Sequence, residues 1–245
     1  VHFDWAYFWS QLLTPSGAFL DGLFLTILMA VTAMFIGSAF GLAIAFARLS
    51  KNRLLSLPAA VYIWVVRGTP LLVQIVFIYT GLAAANILQF NDITVAGMTL
   101  PGSVQAGITA LAINEAAYMA EIFRAGIMAL DPGQAEAGRA LGMSPFLTMR
   151  RIVLPQALRI SLLPIGNQFN IMLKNTTLVS VIGVSEMLLV TETINSATFR
   201  TFELYSVLAI YFLLLTSVWN LVMAWAERRY PVRRPAVERG VAGVK

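Results

Sequence analysis

Long apolar runs dominate the chain, and each ends in a polar or basic break. A bilayer-spanning helix needs about 20 largely apolar residues, and five such runs can be traced. The first covers about Leu20 to Ala47 and closes on Arg48, Lys51 and Arg53. The second, about Leu57 to Ala85, is interrupted by Arg67-Gly68-Thr69-Pro70. The third, about Val104 to Leu130, is weakened by Asn114, Glu115, Glu121 and Arg124. The fourth, Pro155 to Val184, is broken by Pro164, Gly166, Asn167 and Gln168 and carries Lys174. The fifth, Leu204 to Ala226, is followed by Arg228, Arg229, Arg233 and Arg234. The predicted fold is an all-α integral membrane protein with five transmembrane helices.

Composition supports that class: 58% of the 245 residues are hydrophobic and 12% charged, about half the charged fraction of a soluble domain. No cysteine is present and the one histidine is His2, so neither a disulfide nor a metal centre is expected. The net charge of +5 has a topological explanation rather than a nucleic-acid one, because the basic residues follow runs one, three and five. The positive-inside rule then puts the N-terminus outside and the C-terminus in the cytoplasm. Residues 1–18 read as an extracytoplasmic or interfacial segment, with Trp5, Tyr7, Phe8 and Trp9 suited to an outer aromatic belt and Trp225 with Tyr230 to an inner one. Residues 19–230 form the five-span domain, and 231–245 a basic cytoplasmic tail expected to be disordered. No basic n-region precedes the first apolar run, so no cleavable signal is expected. A first residue of Val implies a processed start or an alternative start codon.

The polar stretch between runs three and four, Asp131 to Ser144, is the most specific signal. Asp131-Pro132-Gly133-Gln134 has the form of a helix start: a carboxylate cap, proline at the first helical position, and a glutamine able to reach back to the cap. The helix runs through Ala135, Glu136, Ala137, Gly138, Arg139, Ala140 and Leu141 and should stop at Gly142 in a left-handed conformation. Its length is only about 15 Å, and its small residues permit close approach to a partner. Ser144-Pro145 then starts the next helix.

Glu136-Ala137-Gly138, Gly142 after three intervening residues, and Ile152-Val153-Leu154-Pro155 after nine more resemble the EAA signature of ABC-importer permeases, with Gly138 standing where alanine is usual. Arg67 to Gln74, Asn114 to Arg124 and Lys174 to Leu178 resemble the polar amino acid branch, the histidine, glutamine, glutamate and arginine importers. The resemblance covers about Phe19 to Tyr230. It implies that the helix at about 132–141 is a coupling helix, with Ala135 to Gly142 docked on a separate ATP-hydrolysing subunit. It further implies a second permease, identical or homologous, two ATPase subunits holding ATP and Mg, and an extracytoplasmic binding protein or domain. The location implied is the bacterial inner membrane. The chain has no Gly-x-x-x-x-Gly-Lys-Ser/Thr loop, so it is not expected to be an enzyme or to carry a cofactor.

Charges at membrane depth line protein-filled or water-filled paths. In run three, Asn114, Tyr118 and Glu121 fall on a stripe about 60° wide, with Glu115 to one side and Arg124 to the other. Arg67 and Glu121 both lie roughly 15 Å from the cytoplasmic ends of their runs, so they are expected to pair. That pair reads equally as a brace or as a substrate contact. A zwitterionic amino acid needs an anionic partner, from Glu115 or Glu121, and donors for its carboxylate, from Lys174, Asn175, Thr176 and Thr177; Asn and Thr also serve as interhelical glue. The expected path therefore joins Asn114, Glu115, Tyr118 and Glu121 to Lys174–Thr177. Gly37 and Gly41 form a small-x-x-x-small packing pattern. A reading of a different class is an ion-coupled secondary transporter subunit with Glu115 and Glu121 as a proton or cation relay.

Overall fold

The computed structural model describes residues 3–95 and 97–229; the expected disordered tail, His2 and Tyr230 lie outside the described residues. Helix α1 (Trp5–Leu13) starts where the Asp4 carboxylate accepts from the Tyr7 N–H. Ser16 caps α2 (Gly17–Leu49) in the same way through the Phe19 N–H, and the 33 residues of α2 give it a length of about 50 Å. Asn52 caps α3 (Arg53–Gly68). Pro70 disfavours helical backbone at the residue before it, and Thr69 is extended at φ −116°, ψ 147°. The chain bends by 107° there before α4 (Leu71–Val76), a π-helical turn (Phe77–Gly81) and α5 (Leu82–Ala84). Gln74 holds this bend: its Nε2 donates to Val66 O at 2.7 Å and to Thr69 Oγ1 at 2.8 Å.

A short antiparallel hairpin follows, β1 (Ile93–Val95) and β2 (Met98–Leu100), with Ile93 opposite Leu100 and Thr94 opposite Thr99. Helix α6 (Gly102–Met128) is started by Asp92, whose Oδ1 accepts from the Gly102 N–H at 2.8 Å. The segment after α6 holds α7 (Pro132–Ala140), α8 (Pro145–Thr148) and a π-helical turn (Met149–Val153). That turn immediately precedes Leu154-Pro155, where proline cannot donate to the preceding turn and the helix widens instead. Helix α9 (Leu154–Asn175) continues as a 3-10 helix (Thr176–Ile182), turns through Gly183 at φ +80° and leads to α10 (Met187–Thr198) and α11 (Thr201–Arg229).

Helices α2 and α6 run parallel in close contact, since Gly37 faces Glu115 and Gly41 faces Met119. Added Cβ atoms would lie 2.6 Å and 2.5 Å from the Cβ atoms of Glu115 and Met119, so glycine is required for this approach. Met29, Ala33, Ile75, Leu111, Met172 and Val179 form the central core. Helix α9 meets α6 where Gly126 faces Ser161. Helix α11 closes on α9 through Trp219 Nε1, which donates to Gly166 O at 2.8 Å. Phe35, Trp64, Leu213, Leu221 and Trp225 point outward, as lipid-facing side chains of a membrane protein do.

The structure adds an N-terminal helix and corrects the expectation of a wholly α chain. Residues 5–13 are helical, with Arg200 ion-paired to Asp4 and lying 4.6 Å from the Tyr7 ring centre, so the N-terminal segment is tied to the start of α11. The loop 86–102 contains a hairpin because Ile93, Thr94, Thr99 and Leu100 alternate about Gly97 at φ +81°, so the chain is mainly rather than wholly α. The stretch between runs four and five is mostly α10, whose N-terminus is capped by buried Glu186 through the Leu188 and Leu189 N–H groups. Helices α2 and α11 are each long and apolar enough to cross a membrane, and the pairs α3 with α4–α5 and 145–182 with α10 qualify as bent spans.

Candidate functional site

The short helix α7 is shaped by its own sequence. Asp131 Oδ1 accepts from the Gly133 N–H at 2.8 Å with Pro132 at the first helical position. The expected reach of Gln134 back to the cap is not made; its Oε1 instead accepts from Gln156 Nε2 at 3.5 Å. The C-terminus closes as expected, with Gly142 at φ +77°. Gly142 N–H donates to Arg139 O at 2.9 Å and Met143 N–H to Gly138 O at 3.1 Å, the paired bonds of a Schellman ending. Gly138 is the buried residue of this helix. An added Cβ would lie 3.0 Å from Thr148 Cγ2 and 3.1 Å from Ile152 Cδ1, so glycine in place of the usual alanine lets α7 sit down on the segment behind it. The opposite face is open: Glu136, Ala137, Arg139, Ala140 and Gly142 are exposed and Ala135 is half-buried. Leu141, beside this open face, is 81% exposed. The Glu136–Arg139 pair at 3.8 Å is solvent-exposed and contributes little.

The second feature is a cleft of about 540 Å³ between α3, α6 and α9, lined by Arg67, Tyr118, Glu121, Ser161, Pro164 and Gln168 among others. Arg67 and Glu121 do face one space, but their expected pairing is replaced. Glu121 Oε2 accepts from Arg124 Nη2 at 2.7 Å, and Arg67 lies over the Tyr118 ring at 5.1 Å. A residue one helical turn away on the same helix reaches Glu121 with less ordering than a side chain on another helix. The cleft thus presents a guanidinium on one wall and a carboxylate on another, with uncharged donors and acceptors between them.

The other expected path residues are placed differently. Asn114 is buried and its Nδ2 donates to Gln74 Oε1 at 3.0 Å, which braces the 107° bend. Glu115 is 1% exposed; its Oε2 accepts from Gln168 Nε2 at 3.2 Å, while its Oε1 has no partner among the described residues. Lys174 is exposed, Asn175 and Thr177 are half-buried, and Thr176 is buried. The hydroxyls of Thr176 and Thr177 donate to Leu173 O and Lys174 O, both at 2.7 Å, so neither hydroxyl proton is free for a substrate carboxylate. None of these four residues lines the cleft. Ser161 and Gln168 were not expected there, although Ser161, Pro164 and Gln168 recur at the three- and four-residue spacing of one helix face.

The family model described as binding-protein-dependent transport system inner membrane component matches residues 37–231. The chain is 35% identical over 232 residues to the glutamine transport system permease protein GlnP of Escherichia coli (strain K12), covering 95% of this chain and 100% of that protein. It is 32% identical over 223 residues to the histidine/lysine/arginine/ornithine transport system permease protein HisM of Salmonella typhimurium, covering 91% and 94%. Among solved structures, an amino acid ABC transporter crystallised with histidines matches at 40% identity and a TM-score of 0.79, covering 94% of this chain and 100% of that one. The inward-facing MetNI methionine ABC transporter, 17% identical with a TM-score of 0.71 over 89% of this chain and 97% of that one, shares the fold. With the exposed α7 and its signature on the same segment of a membrane-embedded bundle, and with permeases matching from end to end, this chain belongs to the family of binding-protein-dependent transport system inner membrane components, as a non-catalytic permease subunit of the polar amino acid ABC importers.

Proposed function

We propose that this chain is one half of the permease core of an ATP-driven importer for a polar amino acid, crossing the membrane five times. The spans are α2, α3 with α4–α5, α6, α9 with its 3-10 continuation, and α11. The N-terminus is outside and the C-terminus cytoplasmic, in keeping with Arg48, Lys51, Arg53, Arg139, Arg150, Arg151, Arg228 and Arg229 at one end of the bundle. A second permease, identical or homologous, completes the core. Two ATPase subunits hold ATP and Mg, and an extracytoplasmic binding protein delivers the substrate.

The observation that carries this reading is α7: a short exposed helix, locked at both ends by its own sequence and seated on Thr148 and Ile152 through Gly138. Such a peg transmits force as a rigid body between a partner's groove and α9. ATPase docking is assigned to residues 135–142. The substrate is assigned to the cleft of Arg67, Tyr118, Glu121 and Gln168, where a guanidinium complements a carboxylate, a carboxylate complements an ammonium, and amide and phenol groups serve a polar side chain. Asn114, through Gln74, and Glu115, through Gln168, support the path without lining the cleft.

The test is reconstitution of the assembled transporter with its ATPase and binding protein in vesicles. Glu136→Lys should preserve insertion but reduce ATPase co-purification and substrate-stimulated hydrolysis. Glu121→Gln and Arg67→Gln should preserve docking but alter uptake per assembled complex. Transport that persists at full rate with both sets of variants, or that collapses on dissipating ion gradients while ATP is supplied, overturns the reading.

A further inference from the structure

A second cavity lies away from the cleft, on the opposite side of α6. It is a laterally open groove of about 330 Å³ between α2, α3 and α6, walled by Ile36, Phe40, Ile44, Tyr62 and Ile113 and floored by Ala112 and Ala116. Its polar groups are already committed. Tyr62 O–H donates to Ile113 O at 2.5 Å and Thr109 O–H to Gln105 O at 2.8 Å. Nothing in the groove asks a ligand for a hydrogen bond, so its occupant is apolar there.

The ends of the groove differ. Ile36, Phe40 and Ile44 form a row at four-residue spacing, and the next member of that row is Arg48. Lys51 and Arg53 follow in the turn between α2 and α3. None of the three cations enters an ion pair among the described residues, and no Asp or Glu occurs between Asp21 and Asp92. From Ile36 to Arg48 the row rises about 18 Å, close to half of the roughly 30 Å hydrocarbon core. An acyl chain of that length, running in the groove from Ile36 past Ile44, would bring its headgroup to the Arg48–Arg53 turn.

We propose that this groove is a binding seat for an anionic phospholipid, with one acyl chain against Ile36, Phe40, Ile44 and Ile113 and the phosphate held by Arg48, Lys51 and Arg53. Tyr62 closes the groove toward α6 without competing for the headgroup. Ala112 and Ala116 are part of the device, because their methyl groups leave the channel open where any larger side chain fills it. The apolar part of the seat lies on a different face of α6 from the Arg67–Glu121 cleft.

The test titrates the delipidated, assembled transporter with dioleoyl phosphatidylglycerol or dioleoyl phosphatidylcholine and counts bound lipid by native mass spectrometry. The wild type should retain one phosphatidylglycerol per permease chain at about tenfold higher affinity than phosphatidylcholine. Combined Arg48→Gln, Lys51→Gln and Arg53→Gln should abolish that preference, and Ala112→Leu should weaken retention of both lipids. Equal retention of the two lipids by the wild type, or an unchanged preference in the triple variant, overturns the proposal. Because the chain has no cysteine, Phe40→Cys gives an independent arm. Efficient disulfide formation between two Phe40→Cys copies identifies the groove as a permease–permease contact and overturns the lipid seat; labelling only by a lipid-borne thiol reagent supports it.

Discussion

Helix α7 and the Arg67–Glu121 cleft stand at two extremes of how a sequence encodes a working part. In α7 the cap, the stop and the exposed face arise within Asp131 to Met143, so local backbone chemistry dictates the shape. In the cleft, Arg67, Tyr118, Glu121 and Gln168 come from three helices, and their partners depend on how those helices are rotated and how closely they approach. Local chemistry makes a part that keeps its form when it engages a partner. Tertiary chemistry makes one whose contacts change when helices shift, as an alternating path needs.

The largest expected effect contrasts two glycines. At Gly37 an added methyl meets the Glu115 Cβ at 2.6 Å, so Gly37→Ala should push α2 from α6 and destabilise the bundle by about 1 to 3 kcal/mol. Thermal unfolding of the purified complex checks this, and an unchanged midpoint would show that the helices separate without penalty. At Gly142 nothing lies within 4 Å of an added Cβ, but φ is +77°. Gly142→Ala should therefore strain only α7, by about 1 to 2 kcal/mol. Its signature is weakened ATPase co-purification with the bundle's unfolding midpoint retained; a midpoint shift as large as that of Gly37→Ala would deny α7 its independence.

Double-mutant cycles sharpen the picture of the cleft. Glu121 and Arg124 should couple by about 0.5 to 1 kcal/mol, the range of a partly exposed ion pair. Arg67 and Glu121 should combine additively within about 0.5 kcal/mol. Strong Arg67–Glu121 coupling, read from stability and from uptake per complex, would mean that the two meet in another conformation of the transport cycle.

The smallest effect falls on Asp4, where local and tertiary terms meet on one side chain. The Tyr7 backbone N–H, and then Arg200, hold its carboxyl below the ordinary aspartate range. A depressed folded pKa contributes stability that is present above the unfolded value near 3.8 and is lost as pH falls through the lower folded value. Docking of α1 should therefore be insensitive to pH from neutrality down to about 4 and loosen below that. Asp4→Asn keeps an acceptor for the cap but removes the charge opposite Arg200, so tryptophan fluorescence from Trp5 and Trp9 should show slight loosening already at pH 7. An identical response in wild type and variant would leave the cap as the sole function of Asp4.

Much of the fold was legible because its signals are repetitive or terminal. Apolar length marked α2, α6, α9 and α11, and capping residues marked both ends of α7. Helix α10 and the 93–100 hairpin escaped because each is short, and short elements depend on what they pack against or cap. Buried Glu186 reads in sequence as a stray acid until its carboxylate is seen to hold the Leu188 and Leu189 N–H groups. Gly37 and Gly41 were legible as a packing pair, but not Glu115 as the residue that Gly37 seals in.

By itself, the sequence determined that the chain lives in a membrane, which ends carry positive charge, and where a short polar helix begins and ends. These follow from transfer free energies and backbone geometry acting over a few consecutive residues. Only the tertiary structure decided that Glu121 turns to Arg124, that Asn114 braces Gln74, and that Glu115 lies behind Gln168. Position along a helix gives a side chain its depth, and depth is one coordinate of three. Rotation about the helix axis and distance to the next helix supply the others, and in this bundle they are set by close glycine contacts and by a proline-linked bend whose consequences appear only when the helices meet.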